Sequence, residues 1–532
     1  MTVVNDILSK IPSREEVVEI LTIRNALILL GGWMVYQLLR AAWNISPFHP
    51  LSRFPGPKLA AATYLPEFWY DCVRFGRYTH EIKRMHEIYG PMVRINPDEI
   101  HCSDFNFVDS IYAAGGRKRD KPTHQTRGSP FAGSGFMTTP HDHHRLRRAP
   151  LVKYFSKPQI SQYEPQIREY AQRLCEKLLS GVNKGEPFLI QEAYSCFTSD
   201  VISGYCFGQS FNFLERDGWA PNFRGPLYAL LNITYICRFF PMFKHSLLAM
   251  PWLLNYLPAG MSLMIKTLRV DIPNNVKQTK ANSDAGVIDE KYPTIFKELL
   301  HSDLPAAEKT PDRIVGEAVT VLSGGTETVS WTLSVITYFL LAQPRTLARL
   351  ADELRAAVPD PLRIPPWSDL EKLPYLSAVV QEGLRLSYGV SSRTARAATE
   401  EDLVYSGEWK GGKVEHVVPR GYAVGMSTYL IHHDESLFPD SFKFAPERWL
   451  DGEGKRRRDL DRCLMAFNKG TRICLGMNLA LCEMYTIVAT FTLRVFPHMR
   501  LYETTEDDVR YDHDVIVSGV RSDSKGVRVV LV

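Results

Sequence analysis

One decapeptide constrains this chain more than any other stretch: Phe467-Asn468-Lys469-Gly470-Thr471-Arg472-Ile473-Cys474-Leu475-Gly476. Its pattern is F-x-x-G-x-R-x-C-x-G. A cysteine stands between two glycines, an arginine precedes it by two residues, and an apolar helical run follows. Glycine permits tight turning and close approach of the backbone to a flat group. A cysteine at the opening of a helix meets free N–H groups and the positive end of the helix dipole, both of which favour a thiolate. Arg472 adds a cation suited to a carboxylate on the same ligand. The stretch therefore suits a thiolate presented to a metal held in a flat macrocycle.

Three further motifs stand upstream in a fixed order. They are Gly324-Gly325-Thr326-Glu327-Thr328, Glu382-Gly383-Leu384-Arg385 and Pro446-Glu447-Arg448-Trp449. Together with the decapeptide they resemble the cytochrome P-450 family: its oxygen-activation stretch, its E-x-x-R pair, its P-E-R-F/W element and its heme-binding loop. The stretch Glu382 to Ala397 and the run Phe54-Pro55-Gly56-Pro57-Lys58 look most like fungal biosynthetic members of the trichodiene-oxygenase type.

The resemblance implies a mainly α fold with small β-sheets, in one large domain covering 59–532. It implies heme (iron protoporphyrin IX) as cofactor and Cys474 as the proximal iron ligand, whose electron donation favours O–O cleavage. Thr328 and Glu327 are then the catalytic pair, an alcohol and an acid that deliver protons on the opposite face. His144 and Arg148, one helical turn apart, fall where the family places partners of the heme propionates. The family commonly has Trp at the first of these positions, so His144 is a departure. Arg472 and Arg396 complete that set, with Arg393 as the alternative to Arg396 or a residue facing substrate. Phe467 packs near the thiolate, and Gly476 closes the loop. Glu382, Arg385 and Arg448 form a structural charge network behind it.

Apolar periodicity predicts a helix from Thr310-Pro311 to Gln343, with Thr310 as N-cap and Pro311 in the first turn. Gly324 and Gly325 sit near its middle, where each costs about 1 kcal/mol relative to alanine. They either pack closely against another helix or leave room for a flat ligand and let the helix open. Other expectations are a helix over 75–89, a strand over 92–101, a long loop over 117–139, a helix over 140–154, a helix over 475–495, and β structure in the last 30 residues.

The net charge of +4 and the lack of a basic stripe interleaved with aromatics argue against nucleic acid as partner. Nine cysteines without C-x-x-C spacing make neither a disulfide framework nor a zinc site. The cluster His141, His143, His144 lacks a carboxylate at ligating distance in sequence. Residues 25–43 carry one charge, Arg40, and are long enough to cross about 30 Å of hydrocarbon. Segment 1–44 thus reads as an N-terminal anchor, and 45–58, with four prolines, as a hinge. Basic residues after the span favour a cytosolic body. That topology leaves the sequons at Asn44 and Asn232 unmodified, and the endoplasmic reticulum fits it. The aromatic stretch Trp219 to Leu257 is a candidate for membrane contact.

The chain holds no flavin or iron–sulfur segment, so electrons must come from a partner, an NADPH-dependent reductase on the family's pattern. Lys455-Arg456-Arg457-Arg458 is either its docking patch or a solvated loop. Two function classes follow. One is a monooxygenase that hydroxylates or epoxidises an apolar small molecule. The other is a heme-thiolate isomerase or dehydratase that acts without dioxygen.

Overall fold

The computed structural model describes residues 23–129, 131, 133–242, 259–284 and 294–532. The first described element is α1 (Ile23–Ile45), whose large apolar side chains from Leu27 to Trp43 point outward. Two strands follow, β1 (Met92–Asn96) and β2 (Glu99–Cys102), paired antiparallel where one strand was expected over 92–101. They join β3 (Arg119–Asp120), β4 (Arg396–Ala398) and β5 (Ala423–Gly425) in a five-stranded sheet of order β1-β2-β5-β4-β3. The sheet thus gathers both flanks of the chain, with Arg396 opening β4 and Arg393 three residues before it.

The helical body is larger. It includes α2 (His141–Tyr154), α3 (Ile190–Phe207), α4 (Arg224–Asn232), α5 (Thr234–Phe239), α6 (Pro311–Ala342), α7 (Pro374–Ser387) and α8 (Met477–Arg494). Near the C-terminus, β6 (His513–Val515) and β7 (Val517–Gly519) form a hairpin turned at Ile516. The largest apolar core joins α3, α6, α7 and α8. The 75–89 expectation is met by Tyr78–Tyr89.

α6 runs without a break through both glycines, so it does not open locally. The two glycines divide the two readings between them. A Cβ on Gly325 would sit 2.8 Å from Cγ1 of Ile202 on α3, which makes it a close-packing glycine. A Cβ on Gly324 would meet nothing within 4 Å, so that face of α6 is open. Thr310 stands at the N-cap position but its side chain makes no capping bond.

The segment 45–58 is docked rather than a free hinge. Leu51, His49 and Phe54 are buried, and the Arg94 backbone N–H donates to Pro55 O at 2.8 Å. The buried Arg94 guanidinium donates to Asn44 O at 2.9 Å and Pro97 O at 2.8 Å, which fastens the end of α1 to the sheet. Asn44 itself is buried, its amide donating to Ala62 O. The 117–139 stretch is a loop with β3 and one helical turn (Thr123–Thr126) inside it. It is tied to α6 where the Gly135 N–H donates to Glu317 at 2.8 Å.

Candidate active site

The cysteine loop is shaped by backbone conformations that its sequence anticipates. Gly470 has φ 70°, and a Cβ there would lie 2.2 Å from Tyr112 O, so only glycine fits. Asn468 also has positive φ, and its amide donates to Thr394 Oγ1 at 3.0 Å. The Cys474 N–H donates to Phe467 O at 2.8 Å, which closes the loop on itself. Gly476 is the N-cap of α8, and its N–H reaches the Cys474 sulfur.

The Cys474 side chain keeps accessible surface, although protein atoms are dense enough around it for burial to act on its thiol. Burial raises its pKa. The Gly476 N–H and Arg148 pull it down without cancelling that rise. The helix terminus thus favours the thiolate, as read from sequence, while burial opposes it. A metal charge makes the thiolate outright when the sulfur coordinates it.

Behind the loop lies a balanced ionic knot. Arg385 Nε and Nη2 donate to Glu382 at 2.9 and 2.8 Å, both side chains being fully buried. Glu382 also accepts from Arg448 Nε (3.0 Å), Trp449 Nε1 (2.9 Å) and the Ala445 N–H (2.9 Å). Burial would raise its pKa, but Arg385 and Arg448 hold it below the usual value. The knot reaches the cysteine loop through His432, which takes the Met465 N–H at 2.8 Å on Nε2 and donates from Nδ1 to Arg385 O.

Beside the thiol, cations converge. Arg396, Arg472, Arg148 and Lys121 all act on His144, Arg396 and Arg472 act on Lys121, and Arg396 and Arg148 act on Arg472. Burial and then Arg472, Arg148, Lys121 and Arg396 depress His144, while burial and then Arg396 and Arg472 depress Lys121. Burial, with Arg396 and Arg148, brings Arg472 down to about 9. Asp120 is the one carboxylate that acts on Arg472. The Arg472 guanidinium donates to Thr138 O and Thr139 O, but its Nε has no partner. Such a cluster needs anionic charge from a ligand, and a flat dianion with two carboxylates next to a thiol-bound metal matches it. The donor set fits heme.

His144 remains a neutral member of this group, which explains how it can replace the family's Trp. Lys121 is the member that sequence reading missed. It lies in the aperiodic loop, and no motif marks it. Its Nζ donates to Phe136 O and lies 3.6 Å from the Phe136 ring centroid. The neighbouring histidines diverge: His141 accepts from the Arg119 N–H and His143 pairs with Glu308 at 2.6 Å. No cluster of three or more metal-binding side chains occurs among the described residues.

Arg393 goes elsewhere. It is buried in a cage of acids, with Nη2 at 2.5 Å from Glu67 and 3.1 Å from Asp71, and Nε 3.6 Å from Glu99. It is therefore neither the propionate partner nor a cation free to face substrate.

On α6, Thr328 and Glu327 face different ways. Thr328 is half-buried, and its hydroxyl donates to Gly324 O at 2.7 Å on the open face. Glu327 is 5% exposed and turned toward α3, where Gln191 Nε2 donates to its Oε1 at 2.9 Å. Its Oε2 has no partner. Burial raises its pKa to about 7, against the opposing pull of Arg224 and the Gln191 bond. A carboxyl that is half protonated near neutrality is suited to proton transfer.

The basic run 455–458 is largely neutralised from within. Lys455 pairs with Glu453 at 2.7 Å, Arg456 with Asp461 at 3.0 Å, and Arg457 with Asp459. This weakens it as a docking patch. Of the aromatic stretch, Phe223 and Tyr235 are core, while Phe240 and Met242 are exposed. Phe243, Trp252, Leu253, Leu254 and Tyr256 lie outside the described residues.

Comparisons with known proteins agree with the geometry. The family model described as Cytochrome P450 matches residues 63–510. Cytochrome P450 monooxygenase ppzE of Metarhizium majus is 42% identical over 444 residues, 81% of this chain and 92% of its own. Cytochrome P450 monooxygenase tpcC of Cochliobolus heterostrophus is 39% identical over 520 residues, 94% and 96% of the two chains. Tryptophan 6-hydroxylase fscE of Fusarium equiseti is 37% identical over 484 residues, 91% and 92%.

Proposed function

The chain belongs to the cytochrome P450 family and is a monooxygenase, and from that premise we propose that it hydroxylates or epoxidises an apolar small molecule of fungal secondary metabolism, a terpenoid or similar skeleton. Electrons come from NADPH through a separate flavin-containing reductase. α1 anchors the protein in the endoplasmic reticulum membrane with the body on the cytosolic side. The observation that carries the reading is the accessible Cys474 thiol beside a cluster of cations short of counter-charge.

Bound heme would supply dioxygen activation and transfer of one oxygen atom to substrate. Cys474 would hold the metal, while Arg396, Arg472, Arg148, His144 and Lys121 would hold the two propionates. The protein's further task is proton supply. Glu327 Oε2 can take a proton and give it up near pH 7, because burial has brought its pKa to that range. The Thr328 hydroxyl, on the open stripe of α6 beside Gly324, can pass a proton to the reacting face. An apolar cluster of Phe131, Leu231, Tyr235, Val515 and Val517 packs against Val319, further along α6. Such packing excludes water there.

The reduced, carbon monoxide-treated protein is expected to show the red-shifted Soret band of thiolate ligation, and Cys474→His should abolish it. Retention of the band in the variant would overturn Cys474 as ligand. Thr328→Ala should keep heme and substrate binding but lower the ratio of product formed to NADPH consumed, the difference leaving as hydrogen peroxide. Full product formation without NADPH or dioxygen would instead favour the isomerase or dehydratase reading.

A further inference from the structure

Helix α3 is bound to α6 along one face, on which Gln191, Thr198 and Ile202 fall at helical spacing. Ile202 lies against Gly325, and the Thr198 hydroxyl donates to Thr326 O at 2.9 Å. Gln191 makes the next contact along the seam, its Nε2 donating to Glu327 Oε1 at 2.9 Å. Gly325, Thr326 and Glu327 are thus each met by a residue of α3, so the two helices keep a fixed relation where the acid stands.

Gln191 is also held from behind. The strand Phe188–Leu189 runs directly into α3 and pairs antiparallel with Val529 and Arg528. The Ile190 N–H donates to Val527 O at 3.0 Å. The Gln191 side chain is buried, and a buried amide that gives up its hydrogen bond loses free energy. Both its backbone and its side chain therefore have one place to be.

The carboxyl it meets is half engaged. At Glu382 both oxygens are taken by several donors. At Glu327, Gln191 occupies Oε1 and Oε2 has no partner, although the side chain is buried. An ionised carboxylate can only accept, so the amide offers Nε2 to it. When the carboxyl takes up a proton, Oε1 goes on accepting and the proton goes to Oε2. The opposite arrangement would require the buried amide to turn over. Two groups of α4 also face this acid. Arg224 draws its pKa down, and Tyr228 is itself raised to about 12, by burial and then by Glu327.

We propose that Gln191 is a positioning residue of the proton supply: by occupying Oε1 from a fixed helix, it makes Oε2 the one atom at which Glu327 carries and releases its proton. The proposal rests on the reading of Glu327 as the acid that supplies protons to dioxygen. In each cycle the Oε2–H bond breaks, the proton passes to the reacting face, and the carboxylate regains a proton from solvent. Gln191 itself gains and loses none.

The test uses the full-length holoenzyme in detergent. The infrared C=O stretch of the protonated acid is identified as the band that Glu327→Gln removes, and it is followed against pH. Gln191→Met keeps the side-chain length and removes the N–H. That N–H favours the ionised form, so its loss should move the midpoint about one pH unit upward. Reductase and NADPH are then supplied, and hydrogen peroxide formed per NADPH consumed is measured over the same range. Peroxide marks dioxygen that left before its further protons arrived. In the unaltered protein its share should rise with pH through the infrared midpoint. In Gln191→Met that rise should move upward with the midpoint, and the share on the acid side should grow about twofold, because the proton no longer has a fixed atom. Gln191→Glu is the independent variant should Gln191→Met fail to incorporate heme. Two carboxyls at this distance share one proton and titrate as a pair, so the band should persist across neutrality with no midpoint there. A merely structural role would raise peroxide equally at every pH and leave the infrared midpoint in place. An unmoved midpoint in Gln191→Met, or a Gln191→Glu titration like that of the unaltered protein, would overturn the positioning role. A moved midpoint with an unchanged peroxide share would instead count against Glu327 as the proton supply.

Discussion

Arg393 and Arg396 stand three residues apart, one before β4 and the other at its first position, and live in opposite electrostatic worlds. Arg393 enters a cage of Glu67, Asp71 and Glu99, and its pKa is pushed well above the usual arginine value, burial notwithstanding. Arg396, buried to the same degree, has its pKa lowered by that burial and is offset only by Tyr112. It donates to Ala395 O and lies over the Tyr112 ring at 5.4 Å. The first arginine is neutralised by the chain and serves the fold. The second is surrounded by other cations and makes sense with an anionic ligand. A buried charge is costly unless paired, so the missing counter-charge supports Arg396 as the member proposed to meet the ligand.

The sharpest way to break this contrast is to remove Arg393. Arg393→Met leaves three buried acids with Arg238 and His124, and breaking such a pair costs about 3–5 kcal/mol. Urea unfolding should report a loss of that order. A loss below about 1 kcal/mol would show that the cage rearranges freely and that the contrast is false.

Glu327 tests a third outcome, a buried acid that neither arginine nor ligand neutralises and that takes up a proton instead. Its folded pKa is raised from 4.5 to about 7. A raised acid binds its proton more tightly when folded. Its cost is therefore absent below about pH 4.5, grows between pH 4.5 and 7, and is full above pH 7, where 2.5 units correspond to about 3 kcal/mol. Glu327→Gln preserves an acceptor for Gln191 and should stabilise the protein by up to that amount at pH 8 and hardly at all at pH 5. Equal shifts at both pH values would sink the assignment.

Arg396→Met should have the smallest effect on the fold, since it relieves repulsion from Arg472. The loss should fall on the ligand: transfer of heme to excess apomyoglobin should run about tenfold faster, the equivalent of ~1.4 kcal/mol from one charge-assisted bond. Unchanged heme transfer together with destabilisation like that of Arg393→Met would erase the distinction between the two arginines.

How much of this was readable from sequence follows from how local each feature is. The ends of α6 and α8 lie within two residues of the expected positions, because prolines, glycine and apolar periodicity act over a few residues. Glu382 and Arg385 share a helix, so their pairing was legible too. Choosing between Arg393 and Arg396 was not, since the acids that claim Arg393 are remote in sequence, Glu67 by 326 residues and Asp71 by 322. Lys121 was invisible for the same reason. Gly324 and Gly325 share one dipeptide and differ only in whether Ile202 stands opposite, which no local pattern records. The basic run 455–458 shows the reverse case: its partners at 453, 459 and 461 were adjacent and decided its state.

The clamp of Arg94 on Asn44 O has one more consequence. A rod fixed at its base turns with whatever it is fixed to. Where α1 crosses a bilayer, its lean in the lipid and the attitude of the enzyme above become a single coordinate. A mostly apolar helix of 21 residues (Asn25–Ile45) is about 32 Å long, and a span longer than the local hydrocarbon tilts to fit. A thinner membrane would then pitch the whole body over, and with it change how deeply Ile236, Phe240 and Met242 dip toward the lipid. Bilayer thickness becomes a setting of the enzyme, transmitted by one guanidinium.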